Sequence, residues 1–379
     1  MSDLRWSDEH LDHLRTCGDP EADDVILDLF ARGDDVVRAI NMLMRDLVEN
    51  NDVPAASLPA GARAYFLTAG LPGWADPERI ALGQQVFHRY GPLVILLLNT
   101  YSLPVCYAAA KGAQVLVRTG RLQSNPQRRI VETAQLVVDV MAAGGLDPAS
   151  DRGAGLRSAQ KVRLMHATIR HLIRRDPSWD PEFGLPINQE DMLGTLMSFS
   201  VATLEGLGRL GVELAGDEVD AYMHTWNVVG AVMGLQHELL PRDYAEGRAL
   251  ADRIGERHFR ACPEGQALTK SLLDMMDYMA PGTAFDGVPA EFVRWFVGDR
   301  VADMLAVPPT RERSPLIDLW RLFGRVGDLL GDRSEAMKQA AGLLSRAFVQ
   351  GLLLANRGGQ RLPFHIPTEL RQVWGVNWP

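Results

Sequence analysis

Between Lys161 and Ile173 the sequence reads KVRLMHATIRHLI, and it sets Arg163, His166 and Arg170 into an otherwise apolar helical pattern. At i, i+3 and i+7 the three share one face. Two guanidinium groups on an apolar face need anionic partners before they can be buried. Those partners are either carboxylates of this protein, which leaves His166 an ordinary core histidine, or carboxylates brought by a cofactor. An imidazole between two arginines is what a haem pocket needs: a nitrogen for iron, and cations within reach of the propionates. The same cations hold the imidazole neutral, as metal ligation requires.

A second candidate is His224, in DEVDAYMHTWNVVGAVMGL. Asp220 stands four residues earlier, either as a carboxylate that orients a metal-bound imidazole or as a common helix pair. Gly230 and Gly234 give that segment a smooth face that another helix or a flat ring can approach. A third candidate is PQRRIVETAQLVVDV, where Arg129, Glu132 and Thr133 fall on one face. Glu132 is either the partner of Arg163 or a general base. The other histidines form no ligand pattern. HExxH, paired ExxH, GxSxG and GxGxxG are all missing, which excludes zincins, di-iron bundles, α/β-hydrolases and Gly-rich phosphate loops. Met165, Met192, Met197, Met223 and Met233 lie near the candidate helices, as core fillers or pocket lining.

Helical signals dominate the elements that must carry these residues. Ser7, Asp19-Pro20, Asp34, Asp76-Pro77, Asn125-Pro126 and Asp217 each open an amphipathic run, and Gly33, Gly91 and Gly144-Gly145 close three of them. Ile187–Leu210 reads as one long apolar helix. Arg242–Phe259, Pro263–Met279 and Arg333–Asn356 read as later ones. Alternating strand patterns are scarce. Gly91–Val117 is apolar enough to consider as a membrane span, but Asn99, Thr100, Tyr101, Ser102 and Pro104 interrupt it. Two short buried helices meeting at a turn are expected there, and a hairpin dipping into a membrane surface is the alternative. Ala142–Gln160 is expected to be a long glycine-rich loop, functional or a plain surface excursion. The fold expected is all-α, a single large helical bundle of a dozen or more helices. Residues 1–75 read as an N-terminal helical cap and 76–379 as the main domain, with one compact domain overall as the alternative.

The chain has 379 residues, 46% of them hydrophobic and 23% charged, in the range of an ordinary globular protein. Its net charge of −9 argues against nucleic acid as a partner. Cys17, Cys106 and Cys262 form neither a CxxC nor a disulfide framework, as expected in a reducing compartment. MSDLRWSDEHLDHLR is charged from its third residue and does not read as a secretory signal. A cytoplasmic protein, at most peripherally membrane-associated and neither transmembrane nor secreted, is expected.

Five segments in order, SLPVCYAAAKGAQVLVRTGRL, RRIVETAQLVVDVM, KVRLMHATIRHLI, INQEDMLGTLMSFSV and DAYMHTWNVVGAVMGL, resemble the rubber-oxygenase-like family. That family includes the latex clearing proteins and the fungal membrane-bound oxygenases of mycophenolic-acid-type pathways. The resemblance spans residues 80–260. It implies an all-α fold holding one haem b, and dioxygen-dependent cleavage of carbon–carbon double bonds in isoprenoid chains. Arg163 matches the family's arginine on the helix before the haem. His166 falls where members place a histidine or an iron-capping lysine, and the later family histidine matches His224. One departure stands out. The family's secreted members take their proximal histidine from the next helix, and here that helix, NQEDMLGTLMSFSVATL, has none.

The expectation is therefore an intracellular haem b-dependent oxygenase acting on a small apolar, isoprenoid- or lipid-like substrate with O2. His166 and His224 are the candidate iron ligands. Arg163, His166, Arg170, Arg129 and Thr133 would contact the cofactor, with Arg163 and Glu132 in catalytic roles. The alternative is a non-catalytic helical protein that binds an apolar ligand, a membrane surface or a partner.

Overall fold

The computed structural model describes residues 5–31, 60–68, 70–122, 126–149, 153–279 and 287–309, with the short pairs 356–357 and 360–361. Within them the protein is all-α, as expected. The strand pairing seen there is the two-residue antiparallel couple Asn356–Arg357 with Gln360–Arg361, plus an isolated bridge between Ala109 and Phe259. The expected helices over 34–49 and 333–356, and the Gly33 stop, lie outside the described residues, apart from Asn356.

The chain opens with α1 (Asp8–Leu14), capped by Ser7, whose hydroxyl accepts from the His10 N–H at 3.2 Å. It continues through α2 (Pro20–Ala31) and α3 (Ala60–Thr68) into the long α4 (Pro77–Leu97). Asp76 caps α4 by accepting from the Glu78 and Arg79 N–H groups. Gly91 does not end α4, because Pro92 is carried inside the helix. The polar stretch that follows does not break it either. Leu98–Ser102 forms a π-helical turn that runs straight into α5 (Leu103–Ala108). Asn99 and Thr100 donate back to the Ile95 and Leu96 carbonyls at 2.8 and 2.9 Å, so both are fully buried without an outside partner. The turn expected inside this run falls instead at Ala109, before α6 (Ala110–Leu122). Pro77–Ala108 is long and apolar enough to cross a membrane, yet 89% of its most apolar window is buried inside the protein. It is the central core helix.

Beyond it come α7 (Pro126–Met141) and α8 (Ala154–Ile173). The loop between them is shorter than expected, since Ala154–Gln160 is the first two turns of α8. The apolar run 187–210 splits at Ser200 into α9 (Gln189–Phe199) and α10 (Val201–Arg209). The set is completed by α11 (Gly216–Val232), α12 (Tyr244–His258), α13 (Pro263–Met279), α14 (Val288–Val297) and α15 (Asp299–Met304).

The tightest crossing pairs α4 with α11. A Cβ on Gly83 would sit 2.7 Å from the Ala221 carbonyl oxygen and 2.3 Å from the Thr225 hydroxyl, so only glycine allows the two backbones this approach. Trp6, Leu11 and Leu14 join the same apolar cluster as α4 and α11. A smaller cluster packs Ile26 and Leu29 of α2 with Tyr65 and Phe66 of α3 against Leu164 and Ala167 of α8. Helix α8 is thus buried on two sides. That is why the polar residues along its buried part must find partners within the protein or face an internal cavity.

Candidate functional site: a cavity beside His166

The three polar residues on the shared face of α8 part company in the fold. Arg163 donates from Nε and Nη2 to the Asp19 carboxylate at 2.6 and 2.8 Å, and from Nη2 to Glu21 at 2.8 Å. Burial opposes the Arg163 charge, but the Asp19 hydrogen bonds outweigh it and push its pKa up. Arg170, 1% exposed, donates from Nε to Asp23 at 2.8 Å and from Nη1 to the Ile187 carbonyl at 2.8 Å. The carboxylates are therefore the protein's own, Asp19 just before α2 and Glu21 and Asp23 within it, and Glu132 is not the partner of Arg163. Both arginines lie off the cavity wall. Gly234 is not on the α11 face. It follows that helix at φ +98°, where a Cβ would lie 2.3 Å from Asp19 Oδ2, so the Arg163–Asp19 pair requires glycine there.

His166 turns the other way, onto an internal cavity of about 620 Å³, a volume suited to a cofactor or small ligand. Its walls come from every helix from α5 to α15, with Met165, Met192, Met197 and Met233 among the lining residues, whereas Met223 packs beside Gly247. His166 Nδ1 is enclosed and has no hydrogen-bond partner among the described residues. Burial first, then the nearby Arg170 charge, pushes its pKa down to about 4, so the ring is neutral at pH 7. A buried nitrogen without a protein partner is a rare arrangement that calls for an explanation.

Arg129, Glu132 and Thr133 line the same cavity. Arg129 donates to the Leu116 carbonyl at 2.5 Å, and its burial lowers its pKa, opposed by Tyr107 and Glu132. The Thr133 hydroxyl donates back to the Arg129 carbonyl at 2.8 Å. Nearby, Ser158 and Gln135 both donate to Asp139, at 2.7 and 2.6 Å. Ile187, also on the wall, is held at φ +54°, a strained state for a β-branched residue, with its carbonyl fixed on Arg170.

His224 is not brought to the cavity. Its Nε2 accepts from the Asp76 N–H at 3.0 Å and its ring meets Trp74 edge-on at 5.7 Å. Burial lowers its pKa. Asp220 is exposed, and its carbonyl takes a hydrogen bond from Arg79.

A second cavity imidazole escaped the sequence reading. His258, at the end of α12, lines the wall with Nε2 2.9 Å from Glu190 Oε2, off the line of a straight hydrogen bond. Its Nδ1 has no hydrogen-bond partner among the described residues. Glu190 is fully buried and also accepts from Arg257 at 2.8 Å and Arg15 at 3.1 Å. Burial alone would raise its pKa, but His258 and Arg257 hold it down to about 2. These partners are up to 175 residues apart in sequence, so no spacing signal could have joined them.

The fold and cavity define a class: a helical bundle enclosing an apolar chamber, with a neutral imidazole and a buried cation on its wall. Residues 82–327 match the family described as ER-bound oxygenase mpaB/B'/Rubber oxygenase, catalytic domain, and the chain belongs to that oxygenase family. It is 29% identical over 301 residues to the rubber oxygenase of Streptomyces sp. (strain K30), an alignment covering 78% of this chain and 72% of that protein. Its fold is similar to the solved structure of latex clearing protein LCP in the closed state, with TM-score 0.74 and 24% identity over 93% of this chain and 95% of that one.

Proposed function

We propose that the protein is a haem b-dependent oxygenase that oxidises or cleaves a carbon–carbon double bond of an isoprenoid- or lipid-like substrate inside the cell. The observation that carries this is His166: a neutral imidazole with an unpartnered buried nitrogen, on the wall of a largely apolar cavity, in a chain of an oxygenase family. The residues present fit a haem. His166 would hold the iron, and Arg129, a cation on the same wall, would face a propionate. The haem, when bound, supplies the dioxygen chemistry.

The rest is the work of this chain. The apolar wall takes up the hydrocarbon and excludes water. The pairs Arg163–Asp19 and Arg170–Asp23 fix α8 against α2, so the His166 ring is positioned by ion pairs behind it. Arg163 therefore acts by positioning. Glu132 offers a carboxylate at the wall that can take a proton from substrate. His224, engaged with Asp76, has no ligand role in this proposal.

Absorption spectra of protein made with haem precursor supplied, before and after dithionite, test the reading. A Soret band that shifts on reduction, persists in His224→Ala and is lost in His166→Ala is the expected result. A folded wild-type protein that takes up no hemin would refute it.

A further inference from the structure

One end of the cavity is charged in a way that a neutral hydrocarbon does not need. Arg209 at the end of α10, Arg248 of α12 and Arg300 of α15 line it, together with Glu205 and Asp252. Glu205 accepts from both Arg209 and Arg248, and from the Tyr101 hydroxyl at 3.0 Å. Arg248 also holds Asp252 at 3.0 Å. Arg300 is exposed and has no hydrogen-bond or ion-pair partner among the described residues, its neighbour Asp299 being taken by Arg294 at 2.9 Å. Among the described residues the charges here balance once Arg294, which holds both Asp299 and Asp303, is counted, and Arg300 is the guanidinium that no carboxylate engages. The side chains of Arg209 and Arg248 are 38% and 40% exposed, so this end opens toward solvent. Phe199, Val201, Ala202 and Val297 add apolar surface to the wall of the same cavity.

One wall of the cavity follows α12. Arg248, Ala251, Asp252, Ile254 and His258 all line it. Ten residues separate Arg248 from His258, or about 15 Å of helix. Helix α9 runs antiparallel beside it, with Glu190 meeting His258 and Gly194 meeting Ile254. His166 belongs to the inner end, because its neighbour Arg170 is bonded to Ile187, just before α9 begins.

We propose that the arginine end binds the anionic head of an amphipathic substrate, a carboxylate or a phosphate, whose apolar chain runs inward along α12 toward His166. Guanidinium groups are suited to both heads through paired hydrogen bonds. Arg129 already provides a cation beside His166, so the outer arginines are not needed for a cofactor at that end. This rests on the oxygenase reading for the direction of the chain, but the binding itself does not require iron.

Calorimetric titration of hemin-free protein with oleate against oleyl alcohol, and farnesyl phosphate against farnesol, tests it. Each anion should bind about tenfold tighter than its alcohol. The advantage should shrink in high salt and vanish in Arg300→Gln, an exposed change that leaves the core intact. Preference for one head alone identifies which anion is meant. Equal affinity for anion and alcohol, or a preference that survives in Arg300→Gln, overturns the proposal. So does a preference abolished by hemin loading together with poorer hemin retention in Arg300→Gln, since the arginines would then hold propionates. Failure of hemin uptake alone would overturn only the haem reading.

Discussion

Lowering the pH should weaken this fold through His166 by an amount set by where the ring sits. In the unfolded chain the imidazole titrates near 6.5, and in the fold burial and Arg170 push its pKa down to about 4. Between those values the unfolded chain takes up a proton that the native protein refuses. The native state therefore loses stability as pH falls from 6.5 to 4, and the loss levels off below 4. At about 1.4 kcal/mol per pH unit, that interval integrates to roughly 3.5 kcal/mol. The perturbation that isolates it is His166→Gln, which keeps a polar side chain of similar reach and cannot titrate. Urea unfolding of hemin-free wild type and variant at pH 7, 6, 5 and 4.5 gives the stability difference at each pH. Wild type should lose ground to the variant steadily across that series. A difference that stays constant would show that the ring is solvated or charge-paired in the native protein, and the account of a neutral, enclosed imidazole would fall with it.

Two further outcomes follow from the packing. Glu190→Gln removes the buried carboxylate shared by Arg15, Arg257 and His258, and should cost about 3 kcal/mol in denaturant unfolding at pH 7. Because its folded pKa is held down to about 2, the contribution of Glu190 is fully present above pH 4.5 and fades as pH falls through 2. A loss below 1 kcal/mol would mean that the Asp8 and Asp12 pairs of Arg257 suffice. Gly83→Ala forces a Cβ against the Ala221 carbonyl and should destabilise by about 1–3 kcal/mol, read as a lowered unfolding midpoint. An unchanged midpoint would show that the two helices slide apart at no cost.

Much of the scaffold was legible residue by residue. The Ser7 and Asp76 caps, the stop at Gly144 and the helix over 161–173, though not its first two turns at 154–160, depend on hydrogen bonds and periodicity spanning a few positions, which the sequence carries locally. The unusual face of Arg163, His166 and Arg170 was legible too, because buried charge announces a requirement. Where helices continue was less so. Pro92 and the polar turn at 98–102 look like breaks, but a core that encloses them from all sides, and side chains that bond back to their own helix, keep the rod running.

What met each requirement was decided only by packing. Asp19 lies 144 positions from Arg163, and nothing local distinguishes it from Glu132 as a partner. His224 and His166 carry similar signals, yet one ring accepts a backbone N–H beside Trp74 while the other opens on the cavity. His258 gains its place from a carboxylate on another helix. The sequence by itself determined that these helices form and that their charges must be satisfied, since both follow from short-range bonding and desolvation. The tertiary structure alone decided which nitrogen was left without a partner, because that depends on which helices come to lie side by side.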